Sequence, residues 1–340
     1  MKKAIILFNL GGPDSLDAVE PFLFNLFNDP AILGLPTIFR YPLAKLISKR
    51  RAPVAKAIYK EMGGSSPILQ QTEMQAKAIE ESLKTEKDNY KCFIAMRCWH
   101  PRADSVVKKV KEFNPEQVIL LPLYPQYSAA TSGSSIEEWL KKCDEHNFKI
   151  NTKIICCYPT EDNFILSHVN LIKENLSLDN LDETIVVFSA HGLPENKIKK
   201  GDPYQWQVEK SVEKLVDKLS INNLDYILSY QSRVGPLKWI GPATDKVILE
   251  QSKKKKRIVL IPIAFVSEHS ETLVELDIEY KKLAMENGCK KYIRIPAVTC
   301  QKDFINSLKT SILKASNGSR FTSSIHCSKS FKKCPRTSGI

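Results

Sequence analysis

The residues best suited to chemistry lie in two short stretches, each of which begins where an apolar segment ends. The first is 186–194, where a run of apolar residues stops at His191 and a Gly and a Pro follow. The second is 265–280, which places His269 and Glu271 after another apolar run. An imidazole titrates near neutral pH, and carboxylates beside it can bind a cation or take up protons. Both stretches are therefore candidate functional sites.

An acidic row continues the second stretch. Glu271, Glu275 and Glu279 recur every four residues, so an α-helix would place them on one face. Like charges at this spacing destabilise an isolated helix by about 0.2–0.5 kcal/mol per pair. Two explanations stay open. The row is either a solvated helix face, with Glu271 placed favourably for the helix dipole, or a path that starts beside His269 and binds cations or conducts protons.

A His with carboxylates and without thiolates suits a divalent first-row metal that is bound transiently. A closed structural zinc site needs four ligands at short spacing, and the sequence has no such cluster. It also lacks the GxSxG, HExxH and Walker motifs. The residues therefore indicate a metal-handling enzyme or a metal-binding protein without chemistry.

Three other histidines are not expected to take part in the chemistry. His146 and His326 lie in polar segments, and His168 lies on a helical pattern. We expect all three to be surface residues. His191 and His269 differ because each follows an apolar strand, at the end where α/β folds bind ligands.

Short apolar strands alternate with amphipathic helices along the chain, which is typical of parallel sheets covered on both faces. Strands are predicted at 4–10, 91–96, 117–123, 153–157, 184–190, 226–230, 257–265 and 291–295. The two halves also resemble each other, and 186–192 repeats the pattern of 6–12 with His191 in the place of Gly11.

We therefore predict an α/β fold with two similar Rossmann-like domains, each a parallel sheet flanked by helices, and an interdomain cleft between their strand ends. The N-terminal domain is predicted at 1–168 and the C-terminal domain, which carries His191 and Glu271, at 169–316. The remaining 317–340 is predicted to be a tail. A chain of 340 residues, 43% of them hydrophobic, is long enough for two such cores.

The net charge of +12 comes from lysines spread along the whole chain. This distribution does not form a nucleic-acid groove, and we expect no nucleic-acid partner. The segment 32–51 combines apolar residues with a basic end at Lys49, Arg50 and Arg51. It is either a helical hairpin packed on the core or an apolar lip that rests on an anionic membrane or holds an apolar, acid-bearing ligand.

The first apolar segment is too short for a signal peptide, and no run approaches the length of about 18 apolar residues of a spanning helix. Nine cysteines are scattered without a CxxC pair. We expect a cytoplasmic protein with reduced thiols, with a peripheral contact at the inner face of the membrane through 32–51.

A set of ordered motifs resembles the ferrochelatase family, whose members insert ferrous iron into protoporphyrin IX. The motifs are 9–13, 123–128, 131–135, 188–194, 200–204, 230–236, 262–265 and 276–280. The resemblance runs from about residue 4 to 335. It implies a chelatase that produces protohaem and releases two protons, in the last step of haem biosynthesis. A coproporphyrin or cobalt chelatase of the same fold, or a non-catalytic porphyrin or metal carrier, stays open as an alternative.

The resemblance also implies roles for individual residues. His191 and Glu271 are the central pair that meets the metal and the protons, and whether His191 is a base, a ligand or both stays open. Glu275 and Glu279, with His269, continue a proton or cation path. The porphyrin-binding residues are Arg50, Arg51, Tyr59, Ser66 and Tyr127.

Some family members bind a [2Fe–2S] cluster through four cysteines. Here Cys334 resembles the start of the C-terminal ligand group, but Arg336 and Thr337 follow it, and Ala129 stands at the upstream ligand position. One ligand of four cannot hold a cluster. We therefore expect no tightly bound cofactor and Fe2+ only as a substrate.

Overall fold

The computed structural model describes residues 1–176, 181–233, 235, 237–254 and 256–338. Within them the chain divides into two compact units. The first contains Met1–Cys157 and Leu308–Ser323, and the second contains Tyr158–Ser307 and the chain from Ser324 onward. Each unit has one parallel sheet with helices between its strands, so the predicted Rossmann-like α/β class is confirmed.

The first unit is built on five strands. They are β1 (Lys2–Asn9), β2 (Asn89–Met96), β3 (Gln117–Pro122), β4 (Asn151–Cys157) and β9 (Phe321–Ser323). Their order in the sheet is β2-β1-β3-β4-β9. The interior of β1 is fully buried because helices cover both faces of a parallel sheet. Its helices are α1 (Val19–Phe27), α2 (Thr37–Glu61), α3 (Ile68–Leu83), α4 (Ala103–Phe113), a π-helix (Ala129–Gly133) and α5 (Ser134–Glu145).

The second unit is built on four strands. They are β5 (Thr184–His191), β6 (Tyr226–Gln231), β7 (Arg257–Pro262) and β8 (Lys291–Arg294), in the order β6-β5-β7-β8. Its helices are α6 (Asp162–Asn175), α7 (Glu195–Lys199), α8 (Tyr204–Leu219), α9 (Thr244–Lys253), a π-helix (Glu271–Glu279), α10 (Tyr280–Glu286) and α12 (Pro335–Ser338). The helix α11 (Lys302–Asn317) begins in the second unit and ends in the first.

The division of the chain differs from the predicted boundaries at 168 and 316. The helix α6 belongs to the second unit because it packs against α8, and its Phe164 ring contacts Tyr158 and Phe304. The predicted tail 317–340 is not a single segment either. Its first part forms β9, which extends the sheet of the first unit by pairing with β4.

The basic apolar segment 32–51 lies largely in one helix rather than in a hairpin. The helix α2 runs for 25 residues, continues through Pro42 and Pro53, and packs against α1. Ile38 and Phe39 are 76% and 64% exposed. No helix in the part of the chain that the structure describes is long and apolar enough to cross a membrane.

The prediction for His168 is wrong, because its side chain is buried in α6 and only 1% exposed. The ring packs edge-on against Phe164 at 4.8 Å, and its Nδ1 lies 3.1 Å from the carbonyl oxygen of the same residue. Burial lowers the pKa of His168 from its ordinary value of 6.5 to about 4, and the hydrogen bond to Phe164 opposes this shift. His168 is therefore a neutral core residue.

Candidate active site

His191 stands at the end of a buried strand. It is the last residue of β5, which lies between β6 and β7. The rest of β5 is buried, whereas the His191 side chain is 41% exposed. Because the three strands are parallel, the segments that follow them meet at one edge of the sheet. Ser232 follows β6 at this edge, and the segment that leads to Glu271 follows β7.

The structure brings the predicted central pair into contact. His191 Nδ1 lies 2.8 Å from Glu271 Oε2. Burial acts to lower the pKa of His191, but the charge and hydrogen bond of Glu271, with the charge of Glu275, raise it above its ordinary value. Burial acts to raise the pKa of Glu271, but the charge and hydrogen bond of His191 lower it to about 2. With Nδ1–H donating to Glu271, Nε2 is the ring atom that can accept a proton or bind a metal.

Ser232 connects this pair to a second carboxylate. Its Oγ lies 2.9 Å from Glu271 Oε2 and 2.5 Å from Glu275 Oε2. Its backbone N–H donates to Glu275 Oε1 at 3.0 Å, and the hydroxyl of Tyr280 donates to the same oxygen at 2.8 Å. Burial and the charge of Glu271 raise the pKa of Glu275. A continuous chain of hydrogen bonds thus runs from His191 to Tyr280.

Gln231 donates a further hydrogen bond to the carboxylate of Glu275. Its Nε2 lies 3.2 Å from Glu275 Oε2, and its Oε1 accepts a hydrogen bond from Ser189 Oγ at 2.7 Å. Ser189 is fully buried in β5. An ionised carboxylate only accepts hydrogen bonds, so the Gln231 amide turns its Nε2 towards Glu275 and its Oε1 towards the Ser189 hydroxyl.

The acidic row lies on a π-helix rather than on the α-helix that its spacing predicted. A π-helix has i→i+5 hydrogen bonds and is common at functional sites. Glu271 and Glu275 both contact Ser232. Glu279 is exposed, and among the described residues it takes no part in this series of hydrogen bonds. The ring of His269 lies 4.7 Å from that of Phe265, and its charge contributes to lowering the pKa of Glu271.

A second ionic network holds the π-helix in place. Arg294, at the end of β8, donates to Glu268 at 2.7 Å and to Asp277 at 2.6 Å. Burial acts to raise the pKa of Glu268, but the charge of Arg294 lowers it, with help from the backbone N–H of Ala297. Glu268 precedes the π-helix and Asp277 lies within it, so one buried guanidinium ties the helix to the sheet.

The corresponding edge of the first unit carries glycines. Gly11 has a φ of +82°, and a Cβ at Gly12 would lie 2.5 Å from the Cβ and Oγ of Ser66. The backbone N–H of Ser66 donates to the Pro13 carbonyl at 2.8 Å. Glycine is therefore required for the predicted binding residue Ser66 to pack on the loop after β1.

The other porphyrin-binding residues predicted in the first unit fall into two groups. Arg50 and Arg51 are exposed on α2, and the Arg51 guanidinium lies 5.6 Å from the ring centroid of Phe27. Tyr59 and Tyr127 are buried, at 6% and 1% exposed. Only the arginines thus offer their functional groups to solvent.

Three residues of the site were not predicted as site residues. Gln231 and Ser232 follow directly on the apolar segment 226–230, so the strand-end signal that identified His191 also applied to them. Tyr280 follows the π-helix directly. Its side chain is buried, and its hydroxyl donates to Glu275.

The sequence is similar to that of known proteins over its whole length. The sequence model of the Ferrochelatase family matches residues 2–316. The chain is 64% identical over 343 residues to the ferrochelatase of Pelagibacter ubique, with 98% of both chains covered. It is 53% identical to the ferrochelatase of Wolbachia sp. subsp. Drosophila simulans, with 91% of this chain and 98% of that protein covered. It is 48% identical to the ferrochelatase of Rickettsia bellii, with 97% and 94% covered.

Solved structures share the fold at low sequence identity. SirB from Bacillus subtilis with Fe3+ superposes with a TM-score of 0.56 at 10% identity, covering 93% of this chain and 96% of that chain. The sirohydrochlorin chelatase SirB from the subspecies spizizenii, in complex with cobalt, superposes with a TM-score of 0.54 at 11% identity, covering 93% and 97%. At this level of identity the likeness shows the fold alone.

Proposed function

This chain belongs to the ferrochelatase family, and we propose that it inserts ferrous iron into protoporphyrin IX with the His191–Glu271 pair at the reacting centre. The family resemblance recognised in the sequence is confirmed by the match over residues 2–316. The observation that supports the site is the 2.8 Å contact between His191 Nδ1 and Glu271 Oε2 at the end of a buried strand. The protein is thus an enzyme of haem synthesis.

Metal insertion requires the iron to lose water and two pyrrole N–H protons to leave the ring. A group beside the ring must accept those protons, and an imidazole suits this task near neutral pH. Because Glu271 raises the pKa of His191, the neutral His191 ring is a stronger base than free imidazole. We propose that His191 accepts a proton at Nε2 and that Glu271 stabilises the resulting cation. We propose that the same two side chains also meet the incoming iron.

The acidic helix and His269 have a supporting part in this proposal. Glu275 is joined to Glu271 through Ser232, so it can take protons onward from the central pair. Glu279 lies one step further along the same helix and is exposed. The protonated form of His269 contributes to lowering the pKa of Glu271. We assign the three residues to proton release or cation entry.

Iron is a substrate in this reaction, and we propose that the chain holds no resident iron–sulfur cluster. Ala129 stands at the upstream ligand position, where a methyl group cannot bind iron. Cys334 alone matches the C-terminal group, and a cluster needs four ligands.

Porphyrin binding is assigned to Arg50, Arg51 and Ser66, with Tyr59 and Tyr127 supporting them from within the first unit. Guanidinium groups form strong charge-assisted hydrogen bonds with carboxylates, which matches the acidic side chains of the porphyrin. The exposed apolar side chains of α2 lie on the same helix as Arg50 and Arg51. An apolar surface with a basic border favours an anionic bilayer. We therefore propose a peripheral contact of this segment with the inner face of the membrane.

The test is metal insertion by the purified chain under anaerobic conditions, with Fe2+ or Zn2+ and either protoporphyrin IX or coproporphyrin, followed by absorbance. We expect turnover with protoporphyrin IX as the preferred porphyrin. The variant His191→Ala should lose insertion while its circular dichroism is unchanged, and His326→Ala, at an exposed His of the same unit, should retain it. Porphyrin binding without turnover by the wild-type chain would instead indicate a carrier. A preference for coproporphyrin or cobalt would indicate a coproporphyrin or cobalt chelatase of the same fold.

A further inference from the structure

Two cysteines near the end of the chain contact each other within the second unit. The thiol of Cys327 donates a hydrogen bond to the sulfur of Cys334. Cys327 is half-buried, whereas Cys334 is fully buried. Only the segment 328–333 separates them, so a bond between the two sulfurs would close a short loop. One thiol of the pair is thus open to solvent, and the other lies behind it.

Neighbouring polar groups donate to both sulfurs. The side-chain amide of Gln207, on α8, lies with its Nε2 3.3 Å from Cys327 Sγ. The backbone N–H of Arg336 donates to the sulfur of Cys334. Hydrogen bonds donated to a sulfur atom favour the thiolate over the thiol. Each sulfur of the pair therefore has a partner that stabilises negative charge on it.

The segment between the two cysteines is anchored on the rest of the unit. The ring of Phe331 lies 5.2 Å from that of Trp206, and the backbone N–H of Lys333 donates to the carbonyl of Gly201 at 3.1 Å. Gly201 has a φ of +91°, and a Cβ there would lie 2.7 Å from the backbone nitrogen of Lys332. These contacts fix the chain between the two sulfurs, so the folded protein holds the thiols together.

The acidity of Cys334 differs from that of cysteines buried elsewhere in the chain. The hydrogen bond from Cys327 lowers the pKa of Cys334 from its ordinary value of 9.0 to about 6, although burial opposes this shift. Burial raises the pKa of Cys98 and of Cys143 to about 12. Near neutral pH the contacting pair therefore carries one negative charge and shares one proton. Thiolates are the form of cysteine that reacts with oxidants.

We propose that Cys327 and Cys334 are a redox modification site, at which a peroxide converts the two thiols into a reversible disulfide. Cys327 is the thiol that a peroxide can reach, because Cys334 is fully buried. Proteins of reducing compartments use such disulfides transiently, for catalysis or redox sensing. The site lies outside the residues assigned to metal insertion and does not depend on that assignment.

The reaction has two steps. The Cys327 sulfur attacks one oxygen of hydrogen peroxide, and the O–O bond breaks to give a sulfenic acid and hydroxide. This hydroxide takes the proton that the pair shared and leaves as water, so Cys334 becomes a thiolate. The Cys334 sulfur then attacks the Cys327 sulfur, the S–O bond breaks, and the second hydroxide takes a proton from solvent. The peroxide is reduced by two electrons, the two thiols are oxidised by two, and a dithiol reverses the change by exchange.

A second pair of thiols in the chain provides a matched control. The sulfurs of Cys156 and Cys157 lie 3.5 Å apart, and both side chains are 1% exposed. The Cα atoms of adjacent residues are about 3.8 Å apart across a trans peptide, which is closer than the range of about 4.4–6.8 Å usual for a disulfide. A peroxide has no access to these thiols either. We therefore expect this pair to stay reduced although its sulfurs are in contact.

The test uses the full-length chain, reduced and then exposed to hydrogen peroxide in native buffer. Trypsin cleaves at the lysines between the two cysteines, so a disulfide would join the peptides of Cys327 and Cys334. Mass spectrometry without reduction detects the joined peptides, and titration in denaturant counts the free thiols. We expect the loss of two of the nine thiols, their recovery with a dithiol, and no disulfide between Cys156 and Cys157.

Variants then assign the two steps. In Cys334→Ser the sulfenic acid of Cys327 should persist and be trapped by a dione reagent, whereas Cys327→Ser should keep Cys334 as a free thiol. Cys156→Ser should form the Cys327–Cys334 disulfide as the wild type does. Cys300 is half-buried like Cys327, but burial raises its pKa, so it should remain reduced in every variant.

Three results would overturn the proposal. One is a wild-type chain that keeps all nine thiols in native buffer. Another is a disulfide that forms only after the chain is unfolded, since the folded contact would then have no part in it. The third is oxidation of Cys300 to the same extent as Cys327. These measurements use the wild-type chain and involve no metal insertion, so their outcome is independent of the proposed function.

Discussion

Acidification should destabilise the second unit through His168, an imidazole that is only 1% exposed. Burial lowers its pKa from 6.5 to about 4 in the folded protein, while the unfolded chain restores the ordinary value. Between these two pKa values the unfolded chain binds more protons than the folded one. The contribution of the neutral ring to stability is therefore complete above about pH 6.5 and is lost as the pH falls towards about 4.

The magnitude follows from the gap between the two pKa values. One pKa unit corresponds to 1.36 kcal/mol, so the full loss is about 3 kcal/mol. At about pH 5 the loss is about 2 kcal/mol, because the folded ring is still mostly neutral there while the unfolded one is charged.

The assay compares the wild type with His168→Asn, whose amide can still donate to the Phe164 carbonyl but does not titrate. Urea unfolding is followed by circular dichroism at about pH 7.5 and about pH 5. The variant should be less stable at the higher pH because it leaves a cavity. Between the two pH values, however, it should lose about 2 kcal/mol less than the wild type. His326→Asn, at an exposed His of the same unit, is the control for the substitution itself.

An equal loss of stability on acidification in the wild type and in His168→Asn would refute the reasoning. It would mean that His168 binds its proton in the folded state as readily as in the unfolded chain. That result is incompatible with a ring enclosed by Phe164 and the rest of the core.

Two further predictions concern the site and the surface. Glu275→Gln should lower kcat for metal insertion by about tenfold or more, whereas Glu279→Gln should change it by less than about threefold, because of these two side chains Glu275 is the one that is hydrogen-bonded to Ser232. Equal effects of the two variants on kcat in the steady-state assay would contradict the path through Ser232. The double variant Ile38→Ser with Phe39→Ser should sediment less than the wild type with anionic vesicles, since both side chains are more than half exposed. Equal sedimentation of the wild type with and without anionic vesicles would exclude the membrane contact.

Much of this protein could be read from local patterns. Apolar runs that end in Gly or Pro identify buried parallel strands, because both faces of such a sheet are covered and its strands are therefore mostly apolar. His191 interrupts one of these runs at its end, and Glu271 opens a helix after another. Strand ends are where α/β sheets place ligands, so each residue is a candidate from its position, and the resemblance to the ferrochelatase family implies that they act as a pair.

Other features depend on contacts between residues far apart in the sequence. The boundary between the two units lies before α6 rather than at 168, because Phe164 of α6 packs against Phe304. The predicted tail contains β9, because that strand pairs with β4. The pattern of its own helix predicts a surface position for His168, but the folded protein buries its side chain, and its ring packs against Phe164. A helical pattern shows which residues share a face but not which face another element covers.

The acidic row shows this limit most clearly. A four-residue spacing suggests three equivalent carboxylates on one α-helical face, but the segment adopts a π-helix whose hydrogen bonds span five residues. Two of the carboxylates then meet at Ser232, a residue about 40 positions earlier in the chain, and Glu279 remains exposed. The sequence by itself determined the α/β class and the candidate groups, because burial and helical periodicity are local properties. Which of these groups are joined by hydrogen bonds was decided only by the tertiary structure, because it depends on where separate strands end relative to one another.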